Sequence, residues 1–215
     1  VNTTIKNLNA SSNSNIGGGF GVISANTSAT EIVNNISNTV TLGNIEIQEQ
    51  SYYYNNNIGG FVGKTTLAET NSTGSIIIQK CNTATNIVNG STNSNSRATL
   101  GGFIGLHDCG DILECLTIND VSGYATYVGG FVGSHTNGSI KNIKSLTTVF
   151  TKQYIYVGGF VGYSRNASSV KYENCYYSYD YSGVGHNGYG IPVSFIGYST
   201  SYGWSNIANV NDYLV

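Results

Sequence analysis

The chain has 215 residues, enough for one large domain with a continuous core or for two small ones. Only 9% of its residues are charged and the net charge is −2, so no basic surface exists to neutralise phosphates and nucleic acid is not an expected partner. The 40% hydrophobic content, rich in Val, Ile and Tyr, argues against a disordered chain, and no apolar run is long enough to span a bilayer.

In chain order, the first element is the phrase Gly18-Gly19-Phe20-Gly21-Val22. It returns in full as Gly-Gly-Phe-(Val/Ile)-Gly at 59–63, 101–105, 129–133 and 158–162, and in degenerate form as Ser194-Phe195-Ile196-Gly197. The repeat glycines are therefore Gly59, Gly60 and Gly63, then Gly101, Gly102 and Gly105, then Gly129, Gly130 and Gly133, then Gly158, Gly159 and Gly162. An apolar residue precedes each full copy: Ile58, Leu100, Val128 and Val157. Two spacings are 28 and 29 residues and the others reach 35 to 42. Self-similarity at such a period is the mark of a repeat architecture.

A second block follows each copy. It reads apolar-x-polar-(Cys/Ile), with further core-type positions three and six residues later. Its six instances begin at Val33, Ile78, Ile112, Ile140, Tyr172 and Trp204. The segments are rich in β-branched, aromatic, Asn and Gly residues, which disfavours a helix despite the spacing of three. Strands joined by corners fit better, because a corner converts alternation by two into a step of three. The reading is an all-β solenoid of six stacked coils, near 17–57, 58–99, 100–127, 128–156, 157–193 and 194–215, forming a single domain. At the strand spacing of about 4.8 Å the rod is roughly 30 Å long. The glycines are expected to serve close backbone approach or positive φ at tight corners.

These blocks resemble the GLUG repeat, a glycine-rich module of large secreted or surface proteins. The match is closest between Tyr127 and Tyr177, including Gly138-Ser139-Ile140-Lys141-Asn142 and Glu173-Asn174-Cys175-Tyr176. The resemblance implies a right-handed β-helix in a surface or adhesin-like context, and it carries no catalytic residues to transfer. The longer inserts after Phe20 and Phe61 depart from the compact repeat and are places for special function.

Candidate chemistry is sparse. The block places Cys81, Cys115 and Cys175 in one column with Ile36, Ile143 and Ile207, as small apolar residues of a core. Cys81 and Cys115 lie on adjacent coils and, with Cys109, are candidates for a disulfide; no Cys-x-x-Cys pair suggests zinc. His107 and His135, each four residues after a repeat phenylalanine, are expected to stack near Asp108, as a solvated turn ladder or as a metal site. The 11 acidic residues are scattered over different repeat offsets, so no carboxylate pair suited to glycoside hydrolysis is expected, and Lys80 and Glu114 read as a surface ion pair. No cofactor is expected. Asn35, Asn142, Asn174 and Asn206 are expected to form an amide ladder. Tyr52, Tyr53 and Tyr54 form either a contact surface or part of an aromatic ladder. Glycosylation acceptors are Asn2, Asn9, Asn26, Asn71, Asn89, Asn137 and Asn166, with Asn35 a further match.

The absence of Met and the start at Val1 imply a processed chain or a fragment. The functional expectation is a non-enzymatic extracellular structural protein, a fibre subunit or stalk that self-associates or meets other surface proteins through its solenoid ends. The alternatives are an adhesin-type module binding glycans or a partner protein and, more weakly, a carbohydrate-active β-helix enzyme.

Overall fold

A computed structural model describes residues 2–8, 13–25, 33–47, 55–67, 75–90, 97–151, 156–164, 170–177, 182–184 and 191–192. Tyr52, Tyr53, Tyr54, Asn9, Asn26, Asn71, Asn166, His186 and the whole final coil from 194 lie outside the described residues. Within them the protein is a parallel β-solenoid made of three sheets that run the length of the stack.

The first sheet stacks Asn15–Gly17, Asn57–Gly59, Thr99–Gly101, Tyr127–Gly129 and Tyr156–Gly158, all parallel and in register. The second stacks Phe20–Ala25, Val62–Leu67, Ile104–His107, Val132–His135 and Val161–Ser164. The Gly-Gly-Phe phrase is the corner between them. The third sheet has 13 strands and is bent into two arms. Its bend lies at Asn38, Lys80, Glu114, Asn142 and Asn174, which all adopt positive φ between 52° and 55°. That left-handed residue lets Ile78 and Cys81 both face inward, the step of three expected of a corner.

The glycine phrases stack in register at residues 59–63, 101–105, 129–133 and 158–162, and the repeat slips in the first coil. Gly17, not Gly18, pairs with Gly59, and Phe20 pairs with Val62, so Gly19 occupies the phenylalanine column. In the second block Ile36 stacks on Ile78 and Asn38 takes the corner position of Lys80, three residues later than the spacing suggested. Thr39 rather than Ile36 therefore precedes Cys81 in its column, and Asn35 stands outside the amide ladder, pairing instead with Gln79 at 3.2 Å. A grid with a period of three fits equally well when displaced by three. The strand Asn2–Leu8 also stacks, on Val40–Ile47, although no glycine phrase announces it.

Two apolar lobes fill the interior. One holds a column of four phenylalanines, Phe61, Phe103, Phe131 and Phe160, stacked with centroids 4.8 to 5.0 Å apart and planes within 17°. Ile78, Ile112 and Ile140 from the third sheet close it. The other lobe joins Ile58, Leu100 and Val128 to Ile87, Val121 and Val149. Between them runs a seam of buried hydroxyls. Thr41 donates to Gly60 O at 3.1 Å and pairs with the Thr83 hydroxyl at 2.7 Å, and Thr117 pairs with the Ser145 hydroxyl at 3.0 Å. Asn119 Nδ2 donates to both Gly102 O and Thr85 O at 2.8 Å. These bonds satisfy corner carbonyls that would otherwise be buried without partners. The seam also corrects an expectation: Leu42 and Ile118, read as core, are 46% and 52% exposed, because the inward positions beside them belong to Thr41 and Thr117.

Candidate functional site

Two places in the described structure concentrate chemistry. The first is a groove on the outer side of the glycine corner. The third glycine of each phrase lets the first two sheets meet backbone to backbone: a Cβ on Gly105 would lie 2.5 Å from Ile58 N, and one on Gly162 would lie 2.6 Å from Val128 N. Above that floor the sheets diverge and enclose a cleft of about 420 Å³. Asn57, Thr99 and Tyr127, the leading residues of successive first-sheet strands, form one wall. Leu106, Ser134 and Tyr163, aligned along the second sheet, form the other, with Thr136 at the rim. Tyr127 stacks on Tyr163 across the groove at 4.8 Å and 23°, and Tyr156 packs against both at 5.1 and 4.9 Å. Sequence reasoning missed this groove. The strand that heads each glycine phrase offered a signal, since Asn57, Thr99, Tyr127 and Tyr156 sit at one offset before Gly-Gly.

The second place is the histidine pair. His107 and His135 do stack on adjacent coils, with centroids 4.8 Å apart. They are not solvated: both are fully buried, inward-facing in the column that holds Ile23 and Thr65. His107 Nδ1 pairs with Thr65 Oγ1 at 2.9 Å, and His135 Nδ1 with Tyr172 OH at 2.7 Å. Neither Nε2 has a hydrogen-bond partner. Burial pushes His107 down to about 4 against the pull of Asp108 and Asp111. Burial, reinforced by His107, pushes His135 well below the usual imidazole range. Asp108 instead accepts a hydrogen bond from Thr136. Among the described residues no group of three or more His, Cys, Asp or Glu comes together as metal ligands.

The cysteines lie in the phenylalanine lobe, all four as free thiols. No bond joins Cys81, Cys109 and Cys115; each is buried among apolar side chains. Cys115 is pushed up by burial, while its hydrogen bond to Cys81 lowers the Cys81 thiol. Burial also holds Cys109 at about 11 and Cys175 at about 12. At the left-handed corner Lys80 and Glu114 sit 3.9 Å apart, Lys141 and Glu173 2.9 Å, and Asn174 donates to Asn142 at 3.1 Å. Of the described glycosylation acceptors, Asn137 is exposed. Asn89 is buried, and its Nδ2 donates to Tyr124 O at 2.6 Å, so a sugar on that nitrogen would displace the bond. Asn2 lies in the strand Asn2–Leu8.

Stacked parallel coils cornered by Gly-Gly-Phe define a parallel β-solenoid. Residues 124–149 match the family model of the GLUG motif, which spans one glycine phrase and the left-handed corner after it. Over 92% of its length the chain superposes on a Bacteroides ovatus crystal structure, provisionally called an immunoglobulin A1 protease, with a TM-score of 0.50 and 18% identity. The chain spans 64% of that protein, and the likeness concerns the fold. No curated protein matches the sequence.

Proposed function

We propose that this chain is a non-enzymatic structural segment of an extracellular surface protein, a stalk or a fibre subunit. The observation that carries the reading is the unbroken register of the first two sheets. Five strands in each stack without an offset around an interior closed by the phenylalanine column and the hydroxyl seam. Such a column transmits load along its axis, since each coil is bonded to the next by its whole backbone. The buried, low-basicity histidines support the same reading, because an imidazole sealed in a core cannot reach a substrate. Self-association through the ends of the stack would lengthen the column.

Electron microscopy of the natively isolated protein tests this. Filaments whose axial repeat matches one or a few solenoid lengths are expected. Discrete monomers, together with turnover of any polysaccharide or peptide lost on mutation of one residue, would overturn the structural reading.

A further inference from the structure

The groove at the glycine corner has the chemistry of a binding site, and the argument for it is independent of the stalk reading. Its walls carry no Lys, Arg, Asp, Glu or His. Lys64, aligned with Leu106 one coil away, is the nearest cation along that row. At its base Ser134 and Thr99 are each 6% exposed, and the part of each that stays accessible lines the groove. Hydroxyls that open onto the groove and are not committed to a side-chain bond within the protein can exchange water for a ligand's hydroxyls. Beside them Tyr127 and Tyr163 present half-buried rings held by mutual stacking, so little freedom is lost when a ligand packs on them.

These features select among ligand classes. An acidic polymer would need cations that the walls lack. An extended peptide gains its affinity by pairing with a free strand edge, and along these walls the backbone groups are already bonded coil to coil. A hydroxyl-rich, uncharged molecule with apolar faces satisfies both the aromatic rings and the groove hydroxyls. The walls repeat at the coil spacing of about 4.8 Å, so the recognised unit is extended along the axis rather than compact. We propose that the groove binds a neutral carbohydrate chain, with Tyr163 and Tyr127 as the stacking platform and Ser134, Thr99 and Asn57 as hydrogen-bonding groups.

Native electrophoresis of the full chain through gels containing a neutral β-glucan, a xylan or a galactomannan, beside polygalacturonate, provides the test. Retardation by at least one neutral polymer and none by polygalacturonate is expected. Tyr163→Ala should weaken the retained interaction about tenfold. Ser134→Ala removes one hydroxyl without disturbing the aromatic cluster, so it tests the groove even if Tyr163→Ala fails to fold. Ile118→Ser, on the outer face of the third sheet, should leave retention unchanged. Migration unaffected by every neutral polymer, stronger retention by polygalacturonate, or binding that survives both groove variants in folded protein would overturn the assignment. None of these results depends on whether the chain forms filaments.

Discussion

The solenoid turns at two kinds of corner, and they solve opposite problems. At the glycine corner the second glycine has no positive φ, yet it has no room for a side chain: a Cβ on Gly102 would lie 2.0 Å from Gly130 O, and one on Gly60 2.2 Å from Gly102 O. At the other corner φ is left-handed at all five described positions, and none of the five residues is glycine. Asn38, Lys80, Glu114, Asn142 and Asn174 point into solvent, where the conformation costs strain but the side chain has space. Asparagine tolerates this region better than most residues, which accounts for three of the five. Crowding by the next coil, rather than backbone conformation, places the motif glycines. The strained corner keeps its side chains and uses them to link neighbouring coils.

The largest effect expected from this contrast is at the glycine corner. In Gly102→Ala the new methyl meets backbone on the adjacent coil, and that coil is held by those above and below it. Overpacking that side chains can absorb costs about 1–3 kcal/mol, and here no side chain can move aside. The variant is expected to lose its cooperative unfolding transition or to be recovered only as aggregate. A folded variant within about 1 kcal/mol of the parent, measured by urea denaturation, would show that the coils can separate and that the crowding argument is wrong.

This contrast also explains what could be read in advance. The glycine phrase was legible because a Cβ at most of its glycines would meet the backbone of a neighbouring coil, so glycine recurs at the same three offsets in all four full copies from Gly59 to Gly162. The left-handed corner was not, since Lys80, Glu114 and Asn142 share only a backbone angle, and a polar residue there looks like any exposed position. Thr41, Thr83 and Thr117 were overlooked for a related reason: β-branched hydroxyl residues suit both faces of a sheet, and only the corner carbonyls opposite them make burial favourable. His107 and His135 were placed correctly along the axis and wrongly in depth. Ile104 and His107, like Val132 and His135, are both buried three residues apart, which breaks the strict alternation that would have pointed the histidines outward. The groove of Tyr127, Ser134 and Tyr163 required the two sheets to be known as neighbours, which no single repeat reveals.

The second effect separates the buried chemistry beside the glycine corner from the exposed charges at the other. His107 has a folded-state value of about 4 against about 6.5 in the unfolded chain, because burial disfavours its charged form. Between those values the unfolded state binds more protons, so stability is intact above pH 6.5 and falls as pH drops toward 4. The loss from His107 alone is about 3 kcal/mol by pH 4, and His135 adds to it in the same direction. Urea melts at pH 7.5, 6 and 4.5 should show this slope, and His107→Asn should flatten it. An unchanged slope in that variant would mean that the acid response arises elsewhere.

A third and smaller effect relieves strain. Glu114→Gly removes the left-handed penalty without touching the core, and even after losing the Lys80 contact it should stabilise by about 1 kcal/mol. That corresponds to a rise in Tm of about 2–4 °C for a chain of this size. Glu114→Val, with a branched Cβ at the same φ, should move Tm the other way. If both variants lowered Tm equally, the corner would depend on the side chain and not on the backbone angle.

The smallest effect comes from the corner charges themselves. Lys141 and Glu173 approach to 2.9 Å, and that hydrogen bond raises the lysine above its ordinary value. Both side chains are nevertheless 40% or more exposed, where water and salt screen the attraction and holding two long side chains costs entropy. Lys141→Ala should therefore lower Tm only slightly at low ionic strength, and the difference should vanish in 1 M salt, where the screening length is about 3 Å. A large drop that persists in salt would mean that the aliphatic stem of Lys141, packed along the bend, matters more than its charge. The exposed corner would then share the packing constraint so far assigned to the glycine corner alone.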